Sequence, residues 1–176
     1  MKMLPDDAVD RITEGCRTIG KICQTQGIQQ WEIVATQSYG HSIDIEAGKI
    51  ALAAGGGEGG YGIRVVEDGR FGYAYLVDLG SADYALKQAR DIAKVSPSVK
   101  GFVLPSEQSA KKVGGLFDKN ILSIGPEDLL EQADAILSEV ASLDERAVVT
   151  GGGLGVGASA TAIYSSEGIE SSGVTT

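Results

Sequence analysis

The stretch Tyr61-Gly62-Ile63-Arg64-Val65-Val66-Glu67-Asp68-Gly69-Arg70-Phe71-Gly72-Tyr73-Ala74-Tyr75-Leu76-Val77 decides the fold class. Tyr61, Ile63 and Val65 alternate with their neighbours, and Phe71, Tyr73, Tyr75 and Val77 repeat the pattern on the return. Between the two runs stands Asp68-Gly69, a pair suited to a two-residue hairpin whose central positions both take positive φ. A period of two on both sides of such a turn specifies two antiparallel strands. Tyr73 and Tyr75, sharing one strand face, are expected in the core.

The same period extends upstream. Trp31, Ile33 and Ala35 alternate, Gly40 marks a break, and Ile43 and Ile45 resume. Ala47-Gly48-Lys49 makes a turn into Ile50, Leu52 and Ala54. The result is an antiparallel meander of about four strands, the pattern of a sheet with one wet face. Before it, Val9, Ile12, Cys16, Ile19 and Cys23 fall at spacings of three and four, which places one apolar stripe on a helix within the first 27 residues. Asp6 or Asp7 caps its start, and Gly27 suits its left-handed end.

Downstream, Ser81 precedes a second helix with Ala82, Ala85, Leu86, Ala89, Ile92 and Ala93 inward, ending before Ser96-Pro97. Pro126 sits in the first turn of a third, striped by Leu129, Ala133, Ile136, Leu137 and Val140. Arg146–Thr150 and Ser159–Tyr164 read as a C-terminal strand pair separated by glycines. The chain thus divides into residues 1–96, an irregular connection over 97–125, and 126–176, a helix and the start of a second sheet. Helices and a meander in separate blocks give the α+β class: an antiparallel β-meander packed with amphipathic helices, plus that strand pair.

The 176 residues carry a formal charge of −9, and their basic side chains are scattered, with Lys111-Lys112 the closest pair. Nucleic acid and anionic membrane are therefore not expected as direct partners. No run of apolar residues reaches the ~18 that cross a bilayer, and the opening residues do not lead into a signal-peptide core. With two cysteines besides, a cytoplasmic setting is expected.

Glycine, at 25 residues, is the compositional departure. Gly55-x-Gly57-x-x-Gly60 fits a dinucleotide fingerprint literally, and Gly153-x-Gly155-x-x-Ala158 fits its looser form. Phosphate binding needs a helix opening at the loop, so that free N–H groups and the helix dipole meet the anion. The residues after both glycine runs alternate as strands do, and mobile inter-strand loops are the simpler reading. Cys16 and Cys23 lie two helical turns apart, about 10 Å along the axis, too far for a disulfide; they read as small buried hydrophobes. His41, the sole histidine, stands near Asp44 and Glu46. A His–carboxylate pair can serve acid–base chemistry, but with no placed nucleophile a solvated strand edge is the plainer reading. One histidine and two cysteines do not make a four-ligand zinc site without recruiting carboxylates.

The order of these pieces resembles the TldD/PmbA family, related to a modulator of DNA gyrase and grouped with the metalloproteases. The resemblance rests on Ile45-Glu46-Ala47-Gly48-Lys49-Ile50, then Gly60-Tyr61-Gly62-Ile63-Arg64-Val65, then Gly69-Arg70-Phe71-Gly72-Tyr73-Ala74-Tyr75 with Asp78-Leu79. It continues through Ala89-Arg90-x-x-Ala93-Lys94 to Ile163-Tyr164-Ser165-Ser166-Glu167-Gly168. It makes Gly48, Gly69, Gly72 and Gly168 structural turn positions. It also implies an N-terminal scaffold region of a peptidase, truncated relative to the family and closer to the PmbA (TldE)-like branch. The TldD branch carries a His-Glu-x-x-x-His motif, which one histidine cannot supply. No cofactor is therefore expected here, with zinc confined to a motif-bearing partner or a missing C-terminal region. Homo- or hetero-oligomers with a TldD/PmbA-type subunit, and an unfolded peptide substrate, are the implied partners. The alternatives are a nucleotide-binding domain using the Gly151–Ala158 loop and a ligand-free dimerisation module. His41, Gly153 and Gly155 are the residues on which a chemical role in this chain would rest.

Overall fold

The computed structural model describes residues 4–5, 7–106 and 113–176. Asp6 and the Lys111-Lys112 pair lie outside the described residues. In chain order the elements are α1 (Ala8–Thr25), β1 (Gln30–Glu46), β2 (Lys49–Glu67), β3 (Arg70–Leu76), α2 (Ala82–Val95), α3 (Pro126–Leu143), β4 (Gly151–Ser165) and β5 (Glu170–Thr175). The strands form one antiparallel sheet in the order β3-β2-β1-β4-β5. The fold is α+β, with β4 and β5 as its C-terminal strand pair; they start no second sheet, because β4 pairs along β1 and joins the meander.

Two hairpins set the register. Ala47 and Gly48 take φ of 47° and 74°, Asp68 and Gly69 take 52° and 70°, so both turns have the two positive-φ residues of a type I′ connection. β1 is unbroken through Gly40 and keeps register with β4 from Glu32 to Glu46. The sequence break at Gly40 is therefore absent, because backbone pairing on both sides carries the strand across a residue of low strand propensity. At about 3.3 Å per residue, the 17 residues of β1 make a rod of roughly 55 Å.

The helices lie along one face of that rod. Trp31, Ile33 and Ala35 of β1 join Tyr61, Ile63, Val65, Ala158, Ala160 and Ala162 beneath the apolar stripes of α1 and α2. Ile43 and Ile45, odd positions of the same strand and so on the same face, meet Leu129 and Ala133 of α3 in a second cluster. Each fully buried Ile or Leu in these clusters contributes about 1.5–3 kcal/mol.

The inward face of β3 is the opposite of the expected one. Tyr73 and Tyr75 are 55% and 63% exposed, while Gly72 and Leu76 are buried. Alternation does not say which parity faces in, and here helix proximity decides. A Cβ on Gly72 would stand 1.6 Å from the Ala89 carbonyl oxygen, so α2 lies too close for an aromatic on that side. Ile92 and Ile136 are likewise exposed, at 45% and 41%, because alanines carry the close contacts of α2 and only Leu129 and Ala133 of α3 are fully buried. Arg146–Thr150 is not a strand. β4 begins at Gly151, with the Thr150 and Val149 carbonyls accepting from the Ala47 and Gly48 N–H groups.

Candidate functional site: the glycine waist and its open edge

Between the two helix-covered ends, the sheet narrows to β2, β1 and β4. β3 pairs with β2 only over Tyr61–Glu67, and β5 pairs with β4 only over Ser159–Tyr164. From Lys49 to Gly60 the outer edge of β2 therefore has no neighbouring strand among the described residues. Ala51 through Glu58 are all exposed. Ala51 is also the extra residue of a bulge, since Leu52 pairs with Asp44 and Ile50 with Ile45.

The glycines lie inside strands here and are not loops. Gly55–Gly57 pair with His41, Gly40 and Tyr39 of β1, and Gly153, Gly155 and Gly157 pair with Asp44, Ser42 and Gly40. What they provide is room for rings. A Cβ on Gly55 would stand 2.4 Å from His41 Nδ1, and one on Gly57 would stand 2.8 Å from the Tyr39 ring. On the other face a Cβ on Gly60 would meet the Tyr75 hydroxyl at 2.3 Å, and that hydroxyl donates to the Gly59 carbonyl over 3.0 Å. Large rings on one strand thus lie across bare backbone of the next, the aromatic rescue of strand glycines. No helix starts at Gly151–Ala158, so this segment offers no helix N-terminus to a phosphate.

His41 sits on the central strand, not at an edge, with its ring 5.3 Å from that of Tyr39 in an edge-to-face arrangement. Asp44 and Glu46, at even positions, project to the opposite face. The sequence-adjacent His–carboxylate pair is therefore split by the pleat. Among the described residues no three His, Cys, Asp or Glu side chains converge as metal ligands. Cys16 and Cys23 are free and buried, their thiols pushed up by burial to about 11 and about 12.

Two concavities flank the open edge. One, of about 580 Å³, is a shallow trough over the waist. Ser38, Ser42, Ala54 and Glu58 from the face away from the helices line it, together with Tyr39, His41 and Val156 from the helix face. The other, of about 570 Å³, lies on the helix side, where Leu4, Ile12, Tyr61 and Val77 surround the stretch Gly57–Gly60. Arg11 also lines this cleft and donates to the Gln37 amide oxygen over 2.8 Å. The sequence pointed to the glycines and to His41 but missed this cleft, which exists only because β3 stops at Leu76 while β2 runs on; no local residue pattern records that mismatch.

Gly48, Gly69 and Gly168 all sit at positive φ, Gly168 at 86°, and Gly72 is the close-approach glycine beneath α2. No helix among the described residues is long and apolar enough to cross a membrane.

Residues 31–93 match the family model described as PmbA/TldA metallopeptidase domain 1. An uncharacterised protein of Methanocaldococcus jannaschii is 29% identical over 150 residues, which cover 85% of this chain and 34% of that protein. TldE from Thermococcus kodakarensis superposes with a TM-score of 0.80 at 20% identity, over 89% of this chain and 36% of that one. A candidate modulator of DNA gyrase from Bacteroides thetaiotaomicron also gives 0.80 at 20% identity, over 98% and 39%. The two solved structures share the fold, and this chain spans little more than a third of the length of each relative.

Proposed function

We propose, from the match of residues 31–93 to the PmbA/TldA metallopeptidase domain 1 model, that this chain is a TldD/PmbA-family member and the N-terminal scaffold region of a peptidase of that type. The family match carries the proposal. In this reading the catalytic zinc belongs to a motif-bearing TldD-type subunit, or to the part of the relatives' length that this chain does not span. The chain's own task is to wall the chamber in which an unfolded peptide is cleaved, in the cytoplasm and within a homo- or hetero-oligomer. Its branch is PmbA (TldE)-like, and a link to DNA gyrase runs through family association and not through DNA contacts.

The physics of the waist supports a scaffold role. A narrow, three-stranded extension with bare backbone on its edges presents main-chain donors and acceptors more than side chains. Its one imidazole has no carboxylate on its own strand face to orient it for zinc or for proton transfer.

Metal analysis and a peptidase assay on the purified chain test the reading. Alone, it is expected to carry no stoichiometric zinc and to leave unfolded casein intact. One equivalent of zinc, lost in His41→Ala, would overturn the proposal.

A further inference from the structure

We propose that the sheet is hinged where Gly56, Gly40 and Gly157 lie side by side, so that its α3-bearing end swings as an arm toward the face away from the helices, and in that direction only. Such a hinge belongs to the chain itself and holds whether or not the chain scaffolds a peptidase.

The line crosses the sheet where β3 and β5 have ended and three paired strands remain. Gly40 pairs with Gly56 on one side and with Gly157 on the other. Residues paired across strands share a face, and Gly40, at an even position of β1, stands on the face away from the helices. No side chain therefore rises from that face along the line to oppose a bend.

The two ends carry separate cores. Trp31, Ile33 and Ala35 of β1 belong to the cluster under α1 and α2, Ile43 and Ile45 to the cluster under α3, and no buried residue belongs to both. A structure yields first where few buried apolar contacts hold it. Among the described residues, two features besides the strands tie the ends together. Val156 touches both clusters, and the 3₁₀ turn Ile121–Ser123 places Leu122 against the first while Ile124, just beyond it, packs against the second. A 3₁₀ turn rises about 2.0 Å per residue and an extended chain about 3.3 Å. The turn therefore has slack to give as the helix face stretches.

The two faces resist bending unequally. On the helix face Tyr39 and His41 flank the line, their rings 5.3 Å apart and edge to face. Bending toward the helices drives the rings into each other, whereas bending the other way parts them. The permitted motion brings Ser38 and Ser42 toward each other across the trough over the waist. Motions of this kind run on the microsecond-to-millisecond scale, with the hinge residues absorbing the change while the packed ends stay rigid.

Distances between spin labels, measured by electron–electron double resonance on the frozen chain, test the hinge. One pair of introduced cysteines spans it: Ser171→Cys, level with Val34 through Ile163, and Glu46→Cys at the far end of β1. The two sites are exposed and about 40 Å apart by strand rise. Two further pairs stay within one end each, Ser171→Cys with Lys87→Cys and Glu46→Cys with Asp134→Cys, all at exposed positions. Cys16 and Cys23 are buried and remain unlabelled. The spanning pair is expected to give a broader distribution than either of the others, with its tail toward short distances. Gly56→Val, at a position where a Cβ meets nothing within 4 Å, should narrow it to the width of the other pairs. His41→Ala, or Tyr39→Ala as a second variant of the same stop, should broaden it further. A spanning distribution as narrow as the others, a width indifferent to Gly56→Val, or a width indifferent to the loss of either ring would each overturn the proposal.

Discussion

Gly72 and Gly56 are both strand glycines, yet the structure assigns them opposite tolerances. A Cβ at Gly72 would overlap the Ala89 carbonyl oxygen of α2, a backbone atom with little freedom to retreat, whereas one at Gly56 would meet nothing within 4 Å. Gly72→Ala is expected to lose about 3 kcal/mol or more. Gly56→Ala should be neutral or gain up to about 1 kcal/mol, since the unfolded chain loses freedom. Urea midpoints of the two variants check both. Ala47, at φ of 47°, is a non-glycine in the left-handed region. Ala47→Asn keeps its N–H bond to the Thr150 carbonyl and suits that region better, so its thermal midpoint should rise, by about 1 kcal/mol of stability. The turns at Asp68-Gly69 and Ala47-Gly48-Lys49 were legible in the sequence because their signals are chemically local. The facing of Tyr73 and Tyr75 was not, because it depends on how closely α2 approaches, and Gly72, Ala85, Ala89 and Ala93 set that distance together.

Among the elements, α1 was the most readable: its stripe of Ile12, Cys16, Ile19 and Cys23 is the one that is buried. Its glycines had only a cost in the sequence, up to ~1 kcal/mol each in a helix. The structure supplies their reason. Gly15 lies under the Tyr61 ring, where a Cβ would come within 2.1 Å of the hydroxyl, and Gly20 lies under Tyr164 and Trp31 at 2.7 and 2.8 Å. Gly20→Ala should therefore destabilise despite its better helix propensity, as denaturant unfolding would show. The same burial makes α1 sensitive to alkali. Cys16 and Cys23 are raised from 9.0 to about 11 and about 12, and burial raises the Tyr61 hydroxyl as well. A raised folded-state value means that the unfolded chain gives up its proton first. Stability is therefore fully present below pH 9 and declines between pH 9 and about 12. Denaturation curves taken across that window should show the decline, and Cys23→Ala should flatten it in part. At neutral pH neither thiol should be alkylated until the chain unfolds.

At the scale of the whole molecule, the determining feature is a length mismatch: β2 and β1 outrun β3, and among the described residues the helices cover one face of what results. The alternating runs of β1 and β2 were visible as separate short strands in the sequence. Their fusion through Gly40 and Gly55–Gly60 was not, because glycine signals a loop unless neighbouring strands hold it. The candidate site was hidden for the same reason, since an edge is defined by where a partner strand ends. The proposed scaffold role makes a claim about assembly, and mixing tests it most directly. The purified chain would be titrated into a metal-bearing TldD-type subunit from the same organism, with complex formation followed by size exclusion and cleavage of unfolded casein followed by mass spectrometry. The account predicts a defined complex in which cleavage depends on the metal of the partner and rises with added chain to a stoichiometric plateau. A chain that cleaves casein on its own, or one that neither joins the complex nor changes its cleavage, would contradict it.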